Sequence, residues 1–380
     1  MTDNRYYRLW ADVDLGAIRS NIIKIQNNLP DQVMTCAVIK ADGYGHGAAP
    51  VARAVEDLVN YYAVATIDEG LDLRAHEVIK PVLVLGYVHP SMTAQAIQNG
   101  IRMTVYDPET AQQISREALK AGQGQKAPVH IKVDTGMSRI GFFVNEEAAD
   151  TVKKIADLPG IEIEGIFTHF ANADDETPDN ALGQLELFQQ FLSMLKERGI
   201  EIPVQHCANS AAATQIPAAA LNMVRLGISM YGLYPSRFVH QIPLDPALSL
   251  KSHVIMVKKI PEGTPVGYGS TWHAPGERIL ATIPAGYADG YSRSLSNKGY
   301  VLIGGSCYPV VGRICMDQLM VDVTEPSEGP GSPVRQGDEV VLVGRQGDLE
   351  ITAEEISELS GSFNYEFVCG ISKRVPRIYH

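Results

Sequence analysis

The chain has 380 residues, 45% of them hydrophobic and 20% charged, which predicts two globular domains rather than one oversized core. A net charge of −12 argues against nucleic acid as a partner, because a phosphate backbone calls for a basic surface. No apolar run reaches the length of a membrane span, and residues 81–88, among the longest, have the length of a buried strand.

The first residues, Met1 to Asp14, lack the apolar core and small-residue cleavage site of a secretory leader. From there to about residue 240, short apolar runs alternate with amphipathic stretches. Leu15, Ile18, Ile22, Ile25 and Leu29 recur at helical spacing behind Asp14, a suitable cap. Apolar runs follow at 33–39, 61–65, 82–85, 101–105, 129–133, 163–168, 204–207 and 223–226, with helical patterns at 67–78 and 181–196. Eight βα units predict a TIM barrel. An open doubly wound sheet is the competing architecture, but the first run ends in Lys40-Ala-Asp-Gly-Tyr-Gly-His rather than a GxGxxG turn.

Beyond residue 243 the texture changes to β-patterned runs at 248–260, 278–284, 300–303, 308–314, 319–323 and 339–343, with one helical stretch at 353–359. The fold class is therefore an α/β TIM barrel over 1–243 followed by a mainly antiparallel β domain over 244–380. The cysteines, Cys36, Cys207, Cys307, Cys315 and Cys369, are odd in number and form no CxxC pair. That pattern predicts neither a disulfide framework nor a zinc site, and it suits a reducing, cytoplasmic setting.

Polar residues fall where a barrel places its chemistry, at the C-terminal ends of the strands. Lys40 follows the apolar Ala37-Val38-Ile39, where burial lowers an amine's pKa, as a Schiff-base lysine requires; a lysine snorkelling to the rim is the plain alternative. Tyr44, in the glycine-rich stretch after Lys40, offers a hydroxyl to a phosphate oxygen. Asn209 and Ser210 follow the seventh strand. Arg225, Gly227 and Ile228 end the eighth, where exposed backbone N–H groups suit a phosphate and Arg225 points into the mouth or into a core ion pair.

His130, Lys132 and Asp134 alternate with apolar residues, so their side chains face the barrel interior. A buried ammonium at Lys132 needs a carboxylate partner or a change of charge, and carbamylation by CO2 would make it an anion able to hold Arg139. His169 ends the sixth strand, as a core histidine or a proton-transfer group. No histidine has metal-ligand spacing. In the second domain Gly267-Tyr268-Gly269 puts a tyrosine on a bare turn, which also fits a strand-end aromatic. Cys315-Met316-Asp317 and Asn364-Tyr365-Glu366 are polar tips on a β scaffold.

Together these motifs resemble the bacterial alanine racemases nearly end to end, from Trp10-Ala-Asp-Val-Asp-Leu to Arg374-Val-Pro-Arg-Ile-Tyr379. Ala37-Val-Ile-Lys40-Ala-Asp-Gly-Tyr44-Gly-His-Gly47 is similar to that family's cofactor-attachment signature. Lys132-Val-Asp-Thr-Gly-Met-Ser-Arg139, His206-Cys-Ala-Asn-Ser210, Pro284-Ala-Gly-Tyr-Ala-Asp-Gly290 and Gly312-Arg-Ile-Cys-Met-Asp317 are also similar. Ser138 departs from the pattern, standing where glycine is common.

The resemblance implies a pyridoxal 5'-phosphate (PLP) isomerase that interconverts L- and D-alanine by two bases and supplies peptidoglycan precursors. It implies a homodimer whose sites each combine one barrel with Tyr268 and Met316 of the partner's second domain. Lys40 would carry the cofactor. Tyr44, Ser210, Gly227, Ile228 and Tyr365 would hold its phosphate, and Arg225, beside His169, would face its ring nitrogen. Arg139 and the Met316 N–H would take the substrate carboxylate, and Tyr268 would be the second base. Asp174, Tyr287, Arg293 and Tyr365 would line the entrance, and Lys132 matches a lysine carbamylated in many members. The rival readings are a serine or broad-specificity racemase, or a barrel-type PLP decarboxylase, whose glycine triplet is missing here.

Overall fold

The computed structural model describes residues 7–122 and 126–380, so part of the stretch read for a leader, residues 1–6, lies outside it. The chain forms two compact units, one of Ala17–Gly43 and Gly47–Asp245, the other of Met1–Gly16, Tyr44–His46 and Pro246–His380. The division at Asp245/Pro246 is not a simple cut: the N-terminal strand and a three-residue segment after the first barrel turn group with the second unit.

The first unit is a parallel barrel. Its strands in chain order are Met34–Val38, Tyr61–Val64, Val82–Val84, Ile101–Val105, Ala127–Asp134, Ile161–Phe167, Val204–His206 and Met223–Leu226. Each pairs with the next through to the seventh, and the eighth returns to the first, from Met223↔Met34 to Leu226↔Ala37. The remaining seam is held by Arg225 N–H to Ala208 O (3.0 Å), Asn222 N–H to Gln205 O (3.4 Å) and Gln205 N–H to Asn222 Oδ1 (2.7 Å). Tyr61–Val64 and Val82–Val84 are buried throughout, as strands covered on both faces must be. The fifth strand is likewise buried, but it carries the polar His130, Lys132 and Asp134.

The helices begin where the sequence supplies caps. Thr66 and Glu69 form a capping box for Ile67–Ala75, Asp107 caps Pro108–Ala121, and Asn145 caps Glu146–Ala156. Leu15–Gln26 buries Ile18, Ile22 and Ile25 as its periodicity requires. Among the described residues no helix is long and apolar enough to cross a membrane.

The second unit is mainly antiparallel. Its large sheet runs Ser306–Pro309, Tyr300–Ile303, Glu339–Gln346, Leu248–His253, Leu9–Val13, Arg377–Tyr379, with Leu349–Ile351 paired to Glu339–Gln346. A three-stranded sheet joins Met256–Ile260, Arg278–Ile283 and Leu319–Asp322, and Pro265–Val266 pairs with Trp272–His273.

Here the apolar pattern misleads in three places. The run 248–260 is two strands in different sheets: Val254 N–H donates to Asp338 O and Ile255 N–H to Thr282 O, so the chain changes sheets between adjacent residues. The run expected at 308–314 is paired earlier, at Ser306–Pro309; past Pro309 only an isolated bridge, Val310 to Val321, continues before Gly312 turns at φ 73. A second helix, Asn364–Gly370, follows Ala353–Ser360.

Candidate active site

Lys40 follows the first barrel strand and the fully buried Ile39, and is itself half-buried. The chain then leaves the strand in a left-handed turn: Ala41 (φ 51), Asp42 (φ 53), Gly43 (φ 61) and Tyr44 (φ 52). L-residues pay about 1–2 kcal/mol each in this conformation, so the surroundings must hold it. Three contacts within the barrel unit do so. Ala41 N–H donates to Glu69 Oε1 (2.7 Å), Gly43 N–H to Ile39 O (2.9 Å), and Ala48 N–H to Asp42 Oδ1 (2.8 Å). Glu69 also accepts from Ala65 N–H (2.7 Å), so one carboxylate ties the Lys40 turn to the next strand's end. The same carboxylate closes the capping box with Thr66.

At the fifth strand's end the Lys132 ammonium donates to two carbonyls, Val133 O at 2.6 Å and Ile140 O at 3.3 Å, and lies 5.6 Å from the Phe167 ring centre. Burial, reinforced by the charge of Arg225, lowers its pKa to about 8. Asp134 shapes the loop that follows by accepting from Gly136 N–H and Ser138 N–H, both at 3.0 Å. Ser138 sits at φ 55, the physical reason a glycine suits this position. Arg139, next along, is exposed.

Arg225, 3% exposed, donates to Thr168 O and Cys207 O (both 3.0 Å), to His206 Nδ1 (3.0 Å) and towards His169 Nδ1 (3.3 Å). Burial lowers its pKa to about 10, so it remains a cation near neutrality. His169 is pushed well below its ordinary value by burial and then by Arg225, and is therefore neutral. Beside them Ser210 Oγ accepts from Gly227 N–H (2.9 Å), bringing hydroxyl and phosphate-type amides together, with Ile228 next in the turn. Asn209 caps the short helix carrying Ser210, accepting from Ala212 N–H at 3.0 Å. Asp174, half-buried, has its carboxyl pKa raised by burial.

In the second unit the Tyr44 and Tyr365 rings meet at 6.1 Å between centres. Tyr268 is 69% exposed on a turn whose flanking residues, Gly267 (φ 71) and Gly269 (φ 70), are both left-handed. Side chains there would strike Arg313: a Cβ on Gly269 would lie 2.9 Å from its guanidinium. The turn is thus fixed while its tyrosine stays bare. Tyr287 and Met316 belong to one loop pair, through Tyr287 N–H to Cys315 O (3.2 Å) and Ala288 N–H to Met316 O (3.1 Å). The fully buried Asp289 anchors that pair, accepting from Gly286 N–H (2.9 Å) and from Arg374 (2.7 Å) and pairing with Arg8. Arg293 is exposed on the neighbouring short turn.

The barrel unit therefore assembles Lys40, Lys132, His169, Ser210, Arg225 and Gly227 at the strands' C-terminal ends, and the second unit carries two further tyrosine settings. Family models for the alanine racemase N-terminal and C-terminal domains match residues 13–235 and 247–379. An alanine racemase of Methanococcus maripaludis is 46% identical over 374 residues, 98% of each chain. The alanine racemase of Clostridium difficile 630 shares the fold with a TM-score of 0.93 and 42% identity, over 98% of this chain and 96% of that one. That from E. faecalis gives 0.90 at 35% identity over 100% of both chains. Sequence and fold agree, and the chain belongs to the alanine racemase family of PLP-dependent isomerases.

Proposed function

We propose that this chain interconverts L- and D-alanine at the mouth of its barrel. The observation that carries the reading is the meeting, at one end of one barrel, of an amine (Lys40), a hydroxyl-and-amide set (Ser210, Gly227, Ile228) and a buried cation (Arg225) beside a neutral imidazole (His169). This donor set fits PLP. Lys40 suits its aldehyde, Ser210 with the Gly227–Ile228 backbone and the Tyr44–Tyr365 hydroxyls suit its phosphate, and Arg225 suits its ring nitrogen. Asn209, by capping the helix, holds Ser210 in place.

When bound, the cofactor supplies the electron sink that makes the α-proton of an amino acid removable. The rest falls to the protein. Lys40 Nζ takes the α-proton of the D-enantiomer while the protonated Oη of the partner subunit's Tyr268 supplies its own proton to the opposite face, and the roles reverse for the L-enantiomer. Arg225, still a cation near neutrality, would donate to the cofactor's ring nitrogen without giving up its proton, which would limit misplaced protonation. Arg139 and the backbone N–H of the partner subunit's Met316 hold the substrate carboxylate. Asp174, Tyr287, Arg293 and Tyr365 would line the approach, as the family resemblance implies, and the bulk of Tyr365 and of the partner subunit's Tyr268 would favour a methyl side chain.

The exposure of Tyr268, Tyr287 and Met316 supports a homodimer in which these groups are covered. None of the five cysteines forms a disulfide, which supports a reducing cytoplasmic setting. Lys132, a buried amine resting on carbonyl oxygens with its pKa near 8, is proposed to be carbamylated and to hold Arg139. A 13C-bicarbonate NMR signal lost in Lys132→Gln supports this; the same spectrum from both proteins sinks it.

The deciding experiment supplies PLP and single alanine enantiomers in D2O, following α-proton loss by NMR and enantiomer ratio by chiral chromatography. Convergence on a racemate with α-deuterium supports the reading. A bound cofactor with no exchange refutes alanine as substrate, and serine is tested next.

A further inference from the structure

Beneath Arg225 the barrel interior holds a run of polar side chains that the reaction above does not use. His206 Nδ1 lies 3.0 Å from Arg225 Nη1, His206 Nε2 lies 2.9 Å from His130 Nδ1, and His130 Nε2 lies 3.2 Å from Glu164 Oε2. Glu164 is paired with Arg102 through both oxygens, at 3.0 and 3.1 Å. Both imidazoles are fully buried.

One proton arrangement satisfies every link. A guanidinium only donates, so His206 Nδ1 is a lone pair and its proton sits on Nε2. That proton needs an acceptor, so His130 Nδ1 is also a lone pair and His130 Nε2–H points at Glu164. An ionised carboxylate only accepts, and the run is closed at both ends. Charging either imidazole would set N–H against N–H.

The packing fixes the rings. Phe167 stacks on His206 at 4.9 Å and 9°, and Tyr61 meets His130 edge-on at 6.0 Å. Gly165 stands opposite His130 in the register, and a Cβ there would lie 2.4 Å from the His130 ring. Burial lowers the pKa of both histidines, which keeps them neutral, while His130 and Arg102 outweigh burial and hold Glu164 at about 2. Arg225 itself touches carbonyls and imidazoles, and a buried cation without a countercharge is costly.

We propose that Glu164 is the counter-ion of Arg225 at two imidazoles' remove, and that Glu164, His130 and His206 are positioning residues that hold its guanidinium fixed towards the reacting ring. Each imidazole presents a lone pair towards the cation and an N–H towards the anion, so the carboxylate's charge is passed up the run. The proposal rests on the reading that Arg225 faces the cofactor ring.

The test uses the chain labelled with 15N in histidine and arginine, first without cofactor. The native protein is expected to show His130 and His206 as neutral Nε2–H tautomers between about pH 6 and pH 8, with resolved, slowly rotating Arg225 Nη signals. In Glu164→Gln, nearly isosteric and part-exposed, the Arg225 signals are expected to broaden or merge. With PLP bound, kcat is expected to fall about tenfold while KM for alanine changes less than about threefold. Gly165→Ala, which displaces the His130 ring and removes no polar group, is expected to do the same.

Either imidazole charged or carrying its proton on Nδ1 in the native chain overturns the proposal. So do Arg225 signals in Glu164→Gln identical to the native ones. A third spectrum separates the premise: the 15N resonance of bound PLP's ring nitrogen in Arg225→Lys. If it moves, Arg225 faces the ring and the proposal stands on the first spectra. If it stays, Arg225 does not face the ring, and the proposal falls with that reading.

Discussion

Tyr268 owes its reach to two glycines, each left-handed and each pressed close to Arg313, so its hydroxyl is presented by a turn that side chains would push apart. Tyr268→Phe keeps the ring and removes one proton carrier. Racemisation is expected to fall roughly 10²–10⁴-fold, with cofactor absorbance retained; near-native turnover would remove Tyr268 from the reaction. At this scale the sequence was most legible where position alone carried the meaning. Lys40 and Ser210 follow predicted barrel strands and Arg225 falls near the C-terminal end of one, the placement that marked them as candidates. Glu164 was not legible. Strand alternation puts it on the face of the exposed Glu162, away from the interior. A bulge between Val129 and His130 shifts the register so that His130 faces Gly165, and Glu164 reaches the His130 ring. A slip of one residue leaves no trace in hydrophobic periodicity.

Among the elements, the left-handed turn after Lys40 is the most demanding, and Glu69 carries much of it. Glu69→Ala leaves the amides of Ala41 and Ala65 without their acceptor. A loss of about 1–3 kcal/mol is expected, read as a lower melting temperature together with faster release of PLP by dialysis. A lower melting temperature with unchanged cofactor retention would confine Glu69 to capping its helix. Gly141 is a second such point. At φ 133, a Cβ there would lie 2.6 Å from Asp134 N, in the loop that leads to Arg139. Gly141→Ala is expected to raise KM for alanine more than it lowers kcat, by steady-state kinetics. Strands such as Tyr61–Val64 and Val82–Val84 were legible because complete burial writes itself as unbroken apolar runs. The second unit was less so. The run 248–260 reads as one strand because nothing in its alternation marks the peptide where hydrogen bonding passes from Asp338 to Thr282.

For the whole molecule, the buried imidazoles set the response to acid. His130 and His206 have folded pKa values below the ordinary 6.5, so below that pH the unfolded chain binds protons that the folded chain refuses. Stability is complete above about pH 6.5 and falls beneath it, by up to about 1.4 kcal/mol per pH unit for each histidine. Glu164, depressed to about 2, adds a later loss that begins as the pH drops through the ordinary carboxylate range near 4.5. Thermal melts between about pH 7 and pH 5 should show the first phase, and a flat profile would mean that the folded chain's imidazoles take up protons as readily as the unfolded chain's. A change from the βα period to β texture was legible beyond residue 243. The allegiance of Leu9–Val13 was hidden, because its partners lie far along the chain.

That strand is flanked by Leu248–His253 on one side and Arg377–Tyr379 on the other. Synthesis and assembly therefore run in opposite orders. Residues 9–13 leave the ribosome early, yet both their edges stay open until the whole barrel and then the final strand have been made. During that interval they present unpaired backbone to the cell, and loop closure over such distances is slow. Arrested or prematurely terminated chains, barrel complete but final strand missing, should accordingly be the species that chaperones hold and proteases remove.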